Sequence, residues 1–260
     1  ANITKRRTRG DKRNELIFDS SPLQALELLA ASLHGMMTNP STPWFTLKFK
    51  DSQMDQNDEA KLWLESVTQD MYTAFNRSNF QQEIFELYHD LITFGTAAMY
   101  VEEDDEDLLK FSTKHIAEIF IAEDDKGRID TVYRKFTLSA RALVQKFGNK
   151  VSQNIKVMSE KDPYQDVDIL HCVYPRADFN PKLKDQENMP FESVYLEMGS
   201  GDELSVSGFK EFPYVVPRYL KASHEIYGRS PAMTALPDVK MLNEMSKTTI
   251  KAAQKQVDPP

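Results

Sequence analysis

The stretch NFQQEIFELYHDLITFGTAAMYVE, residues 79–102, changes its apolar period half way along. Phe80, Ile84, Phe85, Tyr88, Leu91 and Ile92 recur at helical spacing, which predicts a one-sided helix beginning near Asn79. Gly95 is placed to end it, because glycine takes the left-handed conformation of a helix C-terminus without steric cost. From Thr96 to Thr137 the period moves towards two, and the segments 98–102, 108–112, 116–122 and 129–137 read as strands. Asp124-Asp125-Lys126-Gly127 is a turn that makes the last two a hairpin.

Upstream, Ser21-Pro22 predicts a capped helix with proline at its first position. It runs through Leu23, Leu26, Leu29, Ala30 and Leu33 to Gly35 with a core-facing stripe. After the turn Asn39-Pro40-Ser41-Thr42-Pro43, the alternation of Phe45, Leu47 and Phe49 with Thr46 and Lys48 predicts a short half-buried strand. Asn57-Asp58 can cap a second long helix carrying Ala60, Trp63, Leu64, Val67, Met71 and Phe75, an antiparallel partner for the helix at 79–95.

Downstream, short helices are predicted at 139–147 and 151–159, and strands at 167–173, 191–198 and 204–209. The fold class is therefore α+β with mainly antiparallel pairing. The tail differs in kind: Ser230-Pro231 opens a helix that continues, with a kink expected at Pro237, through Leu242 and Ile250 to Val257, before Pro259-Pro260. At 1.5 Å per residue it would span about 40 Å.

The 260 residues are 40% hydrophobic and contain nine glycines, enough for a real core in one or two domains and unlike collagen or bulk disorder. Cys172 is the single cysteine, so no internal disulfide framework or Cys/His zinc spacing is supported, and a reducing compartment fits. Neither a signal peptide nor a membrane span is legible. The net charge of −8 conceals an asymmetry, since residues 1–13 carry six Lys/Arg and one Asp while the remainder sums to −13. Residues 1–20 read as a flexible basic arm, most simply a terminus without function and otherwise an arm that reaches a neighbouring subunit. An acidic body argues against tight wrapping of nucleic acid, which needs Lys/Arg to displace phosphate counterions.

Catalytic signals are weak. The acidic run Glu102, Glu103, Asp104, Asp105, Glu106 and Asp107 could gather a hard cation, but a contiguous run between two strands is more simply a solvated turn. Asp124-Asp125-Lys126-Gly127 lacks the spaced ligands of a calcium loop. His34, His89, His115, His171 and His224 are scattered and read as packed or surface residues, and no phosphate-cradling glycine loop occurs. No metal, cofactor or catalytic residue is assigned. The patterned charge lies on the terminal helix, where Lys240, Lys247, Lys251 and Lys255 share one face, with Glu244 able to pair with Lys240 or Lys247. Val239, Met241, Leu242, Met245 and Ile250 form a loose apolar set that needs neighbours to cover it.

The run Glu211-Phe212-Pro213-Tyr214-Val215-Val216-Pro217-Arg218-Tyr219, then Glu225-Ile226-Tyr227-Gly228-Arg229-Ser230-Pro231-Ala232 and the long helix, resembles the head-to-tail connector (portal) proteins of short-tailed phages. Residues Pro22–Trp44 and Leu138–Gly148 look like the same family, so the resemblance extends over most of the chain. Pro213, Tyr214, Pro217, Arg218, Glu225 and Tyr227 carry its signature, and Gly228, Arg229, Ser230 and Pro231 form the entry to the helix.

The resemblance implies a non-enzymatic subunit of a dodecameric ring at one capsid vertex, through which double-stranded DNA is packaged and ejected with weak contact. It also implies binding to the terminase large subunit, capsid and scaffolding proteins and a tail adaptor, with assembly in the host cytoplasm and residence in the virion. Residues 21–228 would be the wing and 229–260 the first stem helix, its lysines facing the channel or the next subunit. The clip, second stem helix and crown would be missing from a truncated or unusually short chain. Two alternatives stand beside this reading: a metal-dependent nucleic-acid enzyme using residues 102–107, and a monomeric interaction domain.

Overall fold

The computed structural model describes residues 15–50, 57–183 and 185–257. Residues Ala1–Arg13 of the expected arm and the terminal Pro259-Pro260 lie outside the described residues. The chain forms two compact units: one combines residues 1–113 with 217–260, the other is residues 114–216.

The first unit is built on α1 (Ser21–Met37), α2 (Asp58–Arg77), α3 (Phe80–Phe94), strands β1 (Ala98–Asp104) and β2 (Leu108–Lys114), and a long C-terminal helix. Gly95 ends α3 in the left-handed conformation, with φ of +78°. Asn79 does not cap α3 with its side chain. Instead its amide acts like a strand partner, accepting from Phe111 N at 2.9 Å and donating to Phe111 O at 2.8 Å. Glu83 extends the lock, one carboxylate oxygen accepting from Thr113 N at 2.6 Å. These bonds hold α3 against β2, and the core closes over Phe80, Ile84, Leu87, Tyr88, Met99 and Phe111.

Three expectations are corrected here. Ser21 is the first residue of α1 rather than its cap, its N–H bonding Asp19 Oδ1 at 2.9 Å, and the helix passes through Gly35 to Met37. A glycine inside a helix costs only about 1 kcal/mol, so Gly35 does not stop it. The α1 stripe is only partly core-facing: Ala30 is buried and Leu26 and Leu33 are half-buried, but Leu23 and Leu29 are exposed.

Finally, residues 45–49 form no strand. Their backbone donors are taken by α2 side chains, Tyr72 Oη accepting from both Trp44 N and Phe45 N at 2.7 Å and donating to Phe45 O at 2.8 Å. The alternation still reports one-sided burial, with Trp44 stacked on Phe80 and Phe45 on Tyr72.

The second unit is a five-stranded antiparallel sheet in sequential order: β3 (Ile119–Glu123), β4 (Ile129–Ser139), β5 (Asp166–Pro175), β6 (Phe191–Glu197) and β7 (Glu203–Phe209). The β3–β4 hairpin turns where Asp124 Oδ1 accepts from Lys126 N and Arg128 N, both at 2.8 Å, and Gly127 takes φ of +74°. Between β4 and β5 the chain forms α4 (Ala140–Phe147) and α5 (Gln153–Lys161), each capped by a serine, Ser139 and Ser152. They cover one face of the sheet, burying Ala140, Leu143, Val151, Ile155, Ile169 and Leu204.

On that face the register pairs His171 with Tyr195 and Ile169 with Glu197. His171 stacks on Tyr195 at 3.9 Å, its Nε2 lies 2.9 Å from Ser193 Oγ, and Tyr214 Oη is 3.4 Å from its Nδ1. A hydroxyl can donate or accept, so this pair of partners accommodates either tautomer of a neutral ring. Burial, with the nearby charges of Lys146, Arg134 and Lys114, pushes the imidazole down to about 3.

Candidate functional site

The C-terminal helix α6 (Pro231–Val257) is 27 residues long and, among its residues, none is buried. What fixes it is its entry. Antiparallel bridges join Thr96 to Arg218 and Leu220 to Arg229, and Tyr219 N donates to Gly95 O at 2.9 Å. Gly228 then runs so close to Gly95 that a Cβ on either would collide with the other's backbone. The fully buried Thr96 accepts from Gly228 N at 2.7 Å through Oγ1. Ser230 closes the joint in two directions: its hydroxyl donates to Thr93 O at 2.9 Å and accepts from Met233 N at 2.9 Å. Pro231 follows as the first helical residue, where its missing N–H costs nothing.

Of the other signature residues, Arg218 and Glu225 bond within the stretch that leads to this joint. Arg218 Nη1 donates to Ile226 O at 3.2 Å, and Arg229 makes a two-pronged pair with Glu225. The Arg229 hydrogen bonds hold the Glu225 carboxyl below its ordinary range; the pair is exposed, so its share of stability is small. Tyr227 is partly exposed. Pro213 and Tyr214 are buried in the second unit, where Tyr214 Oη approaches His171.

Along α6 the lysine spacing of 7, 4 and 4 keeps Lys240, Lys247, Lys251 and Lys255 within an arc of about 80°. The four are not equivalent. Lys247 Nζ bonds both carboxylate oxygens of Glu244 at 3.0 Å and lies 5.9 Å from the Phe18 ring centre. Among the described residues Lys240, Lys251 and Lys255 have no ion pair, and all three are exposed. Met233, Leu236, Met241, Leu242, Met245 and Ile250 are exposed too, so both the cationic and the apolar surfaces of α6 are open. Pro237 sits inside the helix without ending it.

Sequence reasoning did not foresee the contact that stays α6 half way along. Asn243 accepts from Phe18 N at 2.7 Å and donates to Leu16 O at 3.0 Å, tying the segment before α1 to the helix. Gly95 and Thr96 were legible only as the end of α3, not as the seat of the entry to α6.

The acidic run at 102–107 ends β1 and turns into β2: residues 102–104 belong to the strand and 105–107 are the exposed turn. Asp104 Oδ1 accepts from Glu106 N at 2.9 Å and Asp107 N at 3.0 Å, and these bonds lower its carboxyl below the ordinary value. Among the described residues no three potential ligand side chains converge as a metal site would require. No helix among them is long and apolar enough to cross a membrane.

A long, exposed, partly cationic helix is thus rooted in a tight glycine joint. The chain belongs to the family described as bacteriophage head to tail connecting protein, whose model matches residues 1–260. It is 36% identical over 257 residues to the portal protein of Salmonella phage epsilon15, covering 97% of this chain and 46% of that protein. It is 34% identical over 258 residues to the probable portal protein of Bordetella phage BPP-1, covering 98% of this chain and again 46% of the relative. The chain therefore spans about half the length of the curated relatives it matches.

Proposed function

We propose that this chain is the part of a portal subunit that supplies the wing and the first stem helix of a ring at the capsid vertex, and that it performs no chemistry of its own. Residues 21–228 would form the wing and 229–260 the stem. The observation that carries the reading is α6: 27 residues with no buried position, held firmly at one end. Repeating the subunit around a ring would cover the apolar side of each α6 with its neighbour and leave its lysines to the next stem helix or to the channel. The ring is a dodecamer on the family's pattern.

The partners follow from that placement: the terminase large subunit, capsid and scaffolding proteins, and a tail adaptor, in a virion component assembled in the host cytoplasm. Double-stranded DNA would pass through with weak, non-specific contact. Lys240, Lys251 and Lys255, without an ion pair among the described residues, can offset some phosphate charge, while an acidic body prevents tight binding. Light scattering with negative-stain imaging tests this: rings are expected, whereas a monomer at every concentration and salt would refute assembly by these two elements. Turnover of DNA with magnesium, abolished by Asp104→Ala with Asp105→Ala, would favour the nuclease alternative instead.

A further inference from the structure

No residue of α2 is buried, although its inner side sets Tyr72 against Phe45 and Phe75 against Phe80. Its outer side carries Leu62 and Trp63, and Trp63 is 58% exposed while its ring stacks on Phe49 at 6.2 Å. An indole held in place and left open to water is the kind of residue that anchors protein contacts. Carboxylates surround it. On the helical wheel Asp58, Glu59, Leu62, Trp63, Glu65 and Asp70 fall within one arc of about 160°. Lys61 lies outside that arc, 3.8 Å from Asp58. Glu59, Glu65 and Asp70 are exposed and have no ion pair among the described residues.

The opposite charge is concentrated in the second unit. Residues 139–161, which form α4 and α5, hold Arg141, Lys146, Lys150, Lys156 and Lys161 against the single carboxylate of Glu160, in a chain whose net charge is −8. Lys146 is engaged, its Nζ lying 4.5 Å from the Tyr195 ring centre. Arg141, Lys150 and Lys161 are exposed, and among the described residues they have no ion pair. This layer also shows apolar surface: Val157 stands one turn before Lys161 on α5, and Tyr164, just past the helix, is 68% exposed.

We infer that the outer side of α2 in one copy docks on the α4–α5 layer of a second copy. Trp63 and Leu62 meet Val157 and Tyr164 at the centre of the contact, and Glu59, Glu65 and Asp70 face Arg141, Lys150 and Lys161 around it, the usual arrangement of apolar core and charged rim. The two surfaces differ, so the contact is heterologous. Each copy offers one of either kind, and the contact repeats head to tail until the series closes. The choice of a second copy as the occupant rests on the ring proposed above, while the match of charge and apolar surface does not.

Charge reversal with rescue tests the pairing, association of the full chain being followed by sedimentation and light scattering. Glu59→Lys with Glu65→Lys and Asp70→Lys should weaken association tenfold or more, and so should Arg141→Glu with Lys150→Glu and Lys161→Glu. All six side chains are exposed, so both variants should melt near the parent. The chain carrying both sets has every pair inverted and should associate within a few-fold of the parent, as should an equimolar mixture of the two reversed variants. Trp63→Ala should weaken association at least tenfold in the parent and in the doubly reversed chain alike.

Assembly that neither set disturbs overturns the inference and leaves the ring standing. A doubly reversed chain that stays as dissociated as the single sets overturns it too, because reversal has then acted without the proposed pairing. Association that the double set restores but that stops at open series of copies supports the contact and refutes the closed ring. A parent that remains monomeric at every concentration refutes both.

Discussion

Lowering the pH from 7 to 5 should weaken the five-stranded unit by about 2 kcal/mol through one residue. His171 is buried and neutral, and its folded pKa of about 3 lies well below the ordinary 6.5. Below pH 6.5 the unfolded imidazole binds a proton that the folded one refuses, so stability is full above that value and declines as the pH falls towards 3. With 1.36 kcal/mol per pH unit, the loss is about 2 kcal/mol by pH 5 and about 4 kcal/mol by pH 3. For a urea slope of about 2 kcal/mol/M the midpoint should move down by about 1 M.

Cys172 offers a local reporter, being the single cysteine and buried beside His171 on β5. Samples equilibrated in graded urea at pH 7 and at pH 5 are pulsed briefly with a maleimide at one common pH, and the labelled fraction reports the opened sheet. His171→Gln, which cannot titrate, should remove most of the difference between the two midpoints, whatever its own stability at pH 7. If the parent's midpoint does not move, or moves equally in the variant, the burial argument for His171 is wrong.

Four further outcomes are expected. Gly228→Ala should destabilise the helical unit by about 3 kcal/mol or more, because the added Cβ meets the Gly95 backbone. Thr96→Val should cost about 1–3 kcal/mol by orphaning the buried Gly228 N–H, with Thr96→Ser restoring most of it in thermal melts. Asn243→Ala should leave the melting temperature within a few degrees but speed hydrogen exchange at Phe18 several-fold, since that N–H loses its acceptor. Replacing Lys240, Lys251 and Lys255 together by Gln should flatten the salt dependence of DNA retention by rings, while Lys247→Gln, already paired with Glu244, should change it little.

Much of the architecture could be read from local pattern. The switch at Gly95, the Asp124–Gly127 hairpin and the serine-capped helices at 140 and 153 are each decided within a few residues, so their signals sit together in the chain. The misreading of residues 45–49 has a definite cause. Alternation reports that one side of a segment is buried, and says nothing about whether a strand or the Tyr72 hydroxyl satisfies its backbone.

The functional features were less legible because their partners lie far apart. Thr96 and Gly228 are 132 positions apart, and Phe18 and Asn243 are 225 apart. The lysine spacing on α6 was visible, and so was Glu244 as a partner for Lys240 or Lys247; that it takes Lys247 was not.

The joint at Gly228 and Ser230 makes α6 a cantilever. A beam of about 40 Å clamped at its root turns a tilt of 5° into a tip displacement of about 3.5 Å, comparable with the gap between two packed side chains. The clearance at Lys251 and Lys255 is therefore set about six to seven helical turns away, by whether two glycine backbones can touch. The Asn243 contact acts as a stay near mid-span, limiting flexure of the beam without altering where it is rooted. Fine adjustment of whatever the far end lines would accordingly come from small substitutions around Thr93, Thr96 and Ser230, and not from the lysines themselves.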